Sequence, residues 1–473
     1  MTRAATLNGN IVILGFGTIG QCVLPLLIDR LNRPASDITI VDRIDPPALL
    51  SPFRDAGLAY LKRTIDPDNY GEVLAEAAAG GDLLLNLTMG IDSLDVADWC
   101  HRNGVAYIDT ALEPWEGFIE DFDLPAGERT EYFLHQRARR HAAENWEDDG
   151  PTAIITHGAN PGLVSHFAKA ALVEVADAME LDYDPPVRRR DWARLAQRTG
   201  TKVIHISERD TQVSTRPKLP GEFVNTWSIP GFIEEAMMPV ELGWGTHERT
   251  LPEGGFEQEE GPCNAIYLDQ PAARFQMYSW VPTSGQILGL ALPHSENVTL
   301  SDYLTVEANG EPAYRPTVAF VYLPCDDAFT SLHETMMRGW REPDEQRVIK
   351  DDVLSGQDEL GVLLLGHGLN GLWYGSQLDI AESRRIVPHS NPTALQVAAG
   401  VVSASLWVMD NPSEGFCEPE DLPHDFILDA ARPYLGKLVA EQTDWSPVSQ
   451  RPVIDSPPEP DRPWQFANFR PGG

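Results

Sequence analysis

Residues 10–20 read "NIVILGFGTIG", an apolar run that passes into glycines at the spacing GxGxxG (Gly15, Gly17, Gly20) and then into "TIGQCVLPLLIDRLN". A short apolar run, a glycine turn and a stretch of helical periodicity predict strand, turn and helix in that order. The first glycine permits the tight turn, the second lets backbone approach a pyrophosphate, and the third allows close helix packing, while the helix N-terminus attracts phosphates. Asp42 ends the next apolar run, "DITIVD", 22 residues beyond Gly20, where an acid accepts a hydrogen bond from a ribose 2′-hydroxyl. The stretch therefore predicts a dinucleotide site contacted by Gly15, Gly17, Thr18, Ile19, Gly20 and Asp42. Asp42 favours NAD over NADP, although Arg43 beside it is the residue type that suits a 2′-phosphate.

Outward from that turn, the runs "DLLLNLT", "VAYIDT" and "TAIITHG" alternate with helix-like stretches, which predicts an α/β unit with a doubly wound parallel sheet of Rossmann type over residues 1–162. Ligands of such sheets lie beyond the carboxyl ends of the strands, so Thr88, Asp109, Thr110, Glu113 and Asn160 are candidate site residues. Asn160 and Pro161 also suit the N-cap and first position of the helix that follows, and a cap alone would explain the asparagine. Residues 127–150 read as a charged helix outside the sheet core, a solvated face or a linker. From 163 to 389 the texture changes to short β-branched and aromatic runs divided by Gly and Pro, which predicts a second, largely antiparallel α+β domain. The apolar stretch at about 390–412, opened by Asn391 and Pro392, predicts a helix that returns to the first domain. Residues 413–473 form a C-terminal extension packing on the core, extended after about 440 where Pro and Asp accumulate.

The chain has 473 residues, a formal net charge of −35 at pH 7 and 42% hydrophobic residues, enough for two or three domains with real cores. That charge argues against nucleic acid or an anionic membrane as partner and is compatible with a cationic substrate. With no run of 18 apolar residues and an N-terminus that leads straight into a strand, a cytoplasmic location is expected. The five cysteines are scattered without CxxC or metal spacing, so neither disulfides nor zinc are expected.

In the second half, "HISERDT" (205–211), "NTWSIPGFIEE" (225–235) and "ALPHSENVT" (291–299) carry polar groups but match no nucleophile or metal motif. Glu208 and Glu235 could hold an ammonium, and His294 could move a proton near neutral pH. Singly, each has a bland alternative: surface acids for the glutamates, a hydrogen-bonded core imidazole for the histidine. Glu234 reads as facing water.

Taken together, "GFGTIG", "YIDTALEPW", "GANPG", "HISERDTQ", "VNTWS", "ELGWGTHER", "GVLLLGHG" and "WYGSQL" resemble the bacterial homospermidine synthases, relatives of the saccharopine dehydrogenase group, over almost the whole chain. The resemblance implies NAD-dependent oxidation of putrescine to an imine, exchange of ammonia for a second putrescine (or aminobutyl transfer from spermidine), and re-reduction to homospermidine. NAD is then a recycled prosthetic group, putrescine and related polyamines are the partners, and the enzyme is a homodimer. It implies that Glu208 and Glu235 meet substrate amines, His294 lies in the inner site, Asn160 near nicotinamide and substrate, Glu113 in the cofactor-side wall, and Trp227 over the cationic intermediate. An aromatic face stabilises such a cation without trapping it. The proton acceptor stays open among Glu208, Glu235, His294 and water. An acid is expected near the "NLT" strand end, where this chain has Met89, Gly90 and then Asp92. The alternative, a saccharopine- or carboxynorspermidine-type dehydrogenase, would need Arg or Lys for substrate carboxylates, and a non-catalytic NAD sensor would not need so many polar groups.

Overall fold

A computed structural model describes residues 7–341, 343–449 and 461–471. Seven parallel strands form the first sheet, in the order Phe416–Cys417, β6 (Ala153–Ile154), β5 (Ala106–Asp109), β4 (Leu83–Asn86), β1 (Ile11–Leu14), β2 (Ile38–Asp42), β3 (Ala59–Lys62). β1, β4 and β5 are buried along their whole length, which is why their sequences are continuous apolar runs without alternation. The chain winds from β1 to β3 on one side and returns to β4 on the other, so the crevice past the carboxyl ends of β1 and β4 is the topological switch point. The glycine turn stands there. At Gly15 (φ +84°) a Cβ would meet Leu87 O at 2.8 Å and Thr88 Cγ2 at 3.0 Å, so only glycine lets this turn lie against the end of β4.

Helix α1 (Thr18–Leu31) leaves the turn and packs against the late helix Pro392–Asp410, whose N-terminus is capped by Asn391 through Ala394 N (2.8 Å). That late helix is long and apolar enough to cross a membrane, and it is mostly buried inside the protein.

The second sheet has ten strands. Its centre pairs β7 (Val203–Asp210) in parallel with Thr317–Leu323 and antiparallel with Gln357–His367, which continues into Asn370–Asp379; the remaining pairings are antiparallel. Helix Leu163–Ala178 covers its outer face.

Three local expectations need correction. Asn160 and Pro161 do not begin a helix: Gly158 N donates to Pro161 O (2.7 Å) in a tight turn, and Gly162 (φ +125°) precedes the first helical residue, Leu163. The flanking glycines move the helix start two residues on and free the Asn160 side chain. The helix Glu131–Asn145 is not a solvated face, because Tyr132, Leu134, His135, Ala138 and Ala142 are buried and Glu131 reaches inward. The tail is not simply extended: Lys437–Thr443 pairs with Asn370–Asp379, and Trp464, Phe466 and Phe469 are buried. The prolines of that tail dominated its reading, whereas its aromatic rings decide its packing; Phe466 stacks on Phe275 with centroids 6.1 Å apart. Residues 450–460 lie outside the described residues.

Candidate active site

A cavity of about 480 Å³ runs from the switch point of the first sheet to the central strands of the second. At the first end its wall is Gly17, Thr18, Ile19, Thr88, Thr110 and Asn160. A Cβ on Gly17 would meet nothing within 4 Å, whereas one on Gly20 would meet Gly15 O at 2.7 Å. One glycine thus opens room against the backbone while the other lets α1 close on its own turn, as a dinucleotide cradle requires. The first turn of α1 carries no side-chain cap, which leaves its amide groups for an anion. Asp42 stands beside this turn, its carboxylate accepting from Phe16 N (2.6 Å) and Ile44 N (3.1 Å). These two bonds leave part of its acceptor capacity for a ribose hydroxyl, and its charge opposes a 2′-phosphate.

At the far end the strand register sets the wall. Glu208 on β7 pairs with Tyr322 on the neighbouring parallel strand, and Ile206 pairs with Phe320, so these four residues share one face. Tyr322 and Phe320 stack with centroids 5.7 Å apart, and the ring of His294 lies 4.6 Å from Phe320. An aromatic floor therefore leads from Glu208 to His294. Trp227, half-buried, leans over it with Nε1 3.4 Å from Tyr322 Oη and its ring 5.5 Å from that of Phe232.

The two ends of this floor are acidic. Burial pushes Glu208 up to about 8; Asn160 Nδ2 donates to its Oε2 (2.8 Å) and pulls the other way, while Asp210 and Glu235 add to the rise. Behind Glu208, Asp358 is wholly buried with its pKa well above the ordinary range, first by burial and then by Glu208 and Asp210. Thr393 Oγ1 donates to its Oδ2 (2.5 Å). At the other end burial lifts Glu235 to about 8, against the pull of His294, whose Nε2 is 3.8 Å away. Burial disfavours the His294 cation, yet Glu296, 2.7 Å from Nδ1, and then Glu235 hold it up to about 9.

Glu113 is raised well above its ordinary value by burial and then by Glu234, and it accepts from Gly90 N (3.3 Å). Glu234 lines the cavity with its pKa near 7 from burial, Glu120 and Glu116, so it does not face open water as expected. Helix Ile229–Met237 turns both Glu234 and Glu235 inward because its start is capped by Ser228 through Gly231 N (3.2 Å) and Phe232 is the core anchor.

The structure thus gathers Gly17, Thr18, Ile19, Thr88, Thr110, Glu113, Asn160, Glu208, Trp227, Glu235 and His294 along one cavity. Asp109 is not among its lining residues. Its carboxylate turns inward to accept from Thr156 N (2.5 Å) and Tyr107 Oη (2.9 Å), stiffening the strand end. Asp92 caps helix Ser93–Asn103 and pairs with Arg137 at 2.9 Å, and Met89 takes the cavity position where an acid was expected. Glu131, Phe320, Tyr322 and Asp358 were missed; Glu131 is held by Ser295 Oγ (2.8 Å) and reaches the cavity from the first turn of its helix. The readable signal for Asp358 is an acid pair leading the long apolar strand "QDELGVLLLGH".

Fold and site together define a nicotinamide-dinucleotide enzyme whose substrate end is lined by carboxylates and aromatic rings. The chain belongs to the saccharopine dehydrogenase family, within its homospermidine synthase branch. Residues 11–154 match the saccharopine dehydrogenase NADP binding domain and residues 158–444 the saccharopine dehydrogenase C-terminal domain. Homospermidine synthase of Blastochloris viridis is 41% identical over 98% of this chain and 97% of its own, and that of Mesorhizobium japonicum 39% over 98% and 96%. The crystal structure of homospermidine synthase from Legionella pneumophila in complex with NAD superposes with a TM-score of 0.91, at 39% identity over 99% of both chains.

Proposed function

We propose that the protein joins two putrescine molecules into homospermidine with release of one ammonia, in a reaction without net oxidation. The observation that carries this reading is the pair of carboxylate stations, Glu208 and Glu235, at the two ends of one aromatic floor. NAD, when bound, supplies the acceptor for the hydride leaving the amine-bearing carbon and later its donor to the new C=N bond.

The rest is the work of this chain. Gly17, the first turn of α1, Thr88, Thr110 and Asn160 would hold the dinucleotide. Glu235, set beside the His294–Glu296 pair, grips the distal ammonium of the diamine. Glu208, oriented by Asn160, takes the proton that the reacting amine must shed before its carbon can be oxidised. With a pKa near 8, it can receive that proton and return it to departing ammonia. The imine cation spans the floor under Trp227, whose face attracts it and offers no nucleophile. A second amine adds to that carbon, ammonia leaves, and the new imine is reduced. Among the described residues no Lys or Arg lines the cavity, which speaks against a carboxylated substrate. A cytoplasmic, homodimeric enzyme completes the reading, on the family resemblance and the acidic surface charge.

The test is incubation of the protein with excess putrescine and a catalytic quantity of NAD. Homospermidine and ammonia in equal amounts without lasting NADH are expected. NADH accumulating in proportion to consumed amine would reject the reading.

A further inference from the structure

The dinucleotide end of the cavity poses an electrostatic problem. A diphosphate must sit in a cavity whose charged lining residues are Glu113, Glu131, Glu208, Glu234, Glu235 and His294, in a chain of net charge −35. The amide groups of one helix turn supply only partial positive charge.

The strand Glu345–Val348 of the second half pairs with Glu222–Asn225 and places Gln346 and Val348 in the cavity wall. Lys350 is the next residue in that two-residue alternation. Its Nζ crosses to the first half and donates to Gln21 Oε1 (3.0 Å). Gln21, in the first turns of α1, folds back so that its Nε2 donates to Phe16 O (3.1 Å) inside the glycine turn. The ammonium is thereby carried to the phosphate-binding turn from the opposite half of the molecule. Among the described residues no carboxylate lies within ion-pair distance of Nζ, whereas Arg139, Lys218 and Arg347, half-buried like Lys350, each have one. The backbone that delivers it is fixed: Lys350 N donates to Asp352 Oδ1 (3.1 Å) and Lys350 O accepts from Arg384 Nη2 (2.8 Å).

We infer that Lys350 is a cofactor-binding residue, supplying from the second half of the chain the full positive charge that faces the dinucleotide's diphosphate, with Gln21 as the guide that aims it. The cofactor is then held by both halves at once. That suits a reaction in which the same cofactor molecule must stay bound between its two redox steps. The inference rests on the dinucleotide reading of the glycine turn and is independent of the identity of the amine.

The experiment is calorimetric titration of wild type, Lys350→Met and Lys350→Arg with NAD, with ADP-ribose, which carries the same diphosphate, and with adenosine, which has none. Loss of the charged contact should weaken NAD and ADP-ribose by about tenfold at low salt, less at high salt, and leave adenosine unchanged. Lys350→Arg should retain most of the affinity. Unchanged NAD affinity in Lys350→Met, or an equal loss for adenosine, would overturn the inference. If Lys350→Met does not fold, Lys350→Gln keeps a donor for Gln21 without the charge and carries the same test. Failure of the wild type to bind NAD would instead reject the cofactor reading itself.

Discussion

Diamine binding should release protons, and the number released follows from the site. Glu208 and Glu235 each have a pKa near 8 in the free protein, so at pH 6.5 both are about 97% protonated by the ordinary titration relation. Putrescine brings two ammonium groups. Whether a carboxylate meets an ammonium or a carboxylic acid meets a neutral amine, the complex holds two protons fewer than its separated parts. Binding at pH 6.5 should therefore release about two protons per diamine, and at pH 8, where each acid is half ionised, about one. Because each released proton makes affinity rise tenfold per pH unit, the dissociation constant should fall about a hundredfold between pH 6 and pH 7. Glu208→Gln or Glu235→Gln should each lower the count by about one and the slope to about tenfold, and leave NAD affinity intact. Titration calorimetry in two buffers of different ionisation enthalpy gives the count directly. Release of fewer than half a proton at pH 6.5, or an unchanged count in both variants, would refute the reasoning.

Trp227→Ala should lose about 0.5 to 2 kcal/mol of transition-state stabilisation, roughly two- to thirty-fold in kcat/KM for putrescine, and Trp227→Phe should lose less because a ring face remains. An unchanged rate in Trp227→Ala, with a lowered melting temperature, would show that the ring serves packing alone. Stability of the free protein should decline between pH 5 and pH 9. For Glu208, Glu235 and Glu241, raised to about 8, the contribution is complete below their unfolded value near 4.5 and is lost as pH rises through about 8. His294, raised to about 9, contributes fully below its unfolded value near 6.5 and loses its share as pH passes 9. Denaturant midpoints measured across this range check the direction, and a midpoint rising with pH would contradict these shifts.

What could be read from the chain divides along a physical line. The glycine turn was legible because each of its positions is dictated by backbone sterics within one strand, turn and helix, and the structure shows Gly15, Gly17 and Gly20 in three different surroundings. Glu208, Trp227, Glu235 and His294 were identified by their motifs, since periodicity alone left each with a bland alternative. Tyr322 and Asp358 escaped because their relation to Glu208 is a matter of sheet register across more than a hundred residues. Glu131 escaped for another reason: a helix with buried Tyr132, His135 and small alanines presents a polar pattern even where it packs.

The placement of charge along the cavity gives the acids a second significance. Five ionised carboxylates in a half-buried space would repel one another and a diphosphate alike, at a cost no fold of ordinary stability could meet. Burial resolves this by keeping Glu208 and Glu235 largely protonated in the free protein near neutral pH, and it raises Glu113 in the same direction. In the proposed reaction the negative charge that would select a dication is therefore latent and develops as the dication enters. The aromatic floor completes the logic, because Phe320, Tyr322 and Trp227 lower the local dielectric that raises these acids and also attract the cation that discharges their protons. A site built from permanent anions would hold its diamine at both ends and resist the loss of ammonia. One built from acids poised near the working pH can grip an ammonium, accept its proton, and let the neutral amine leave.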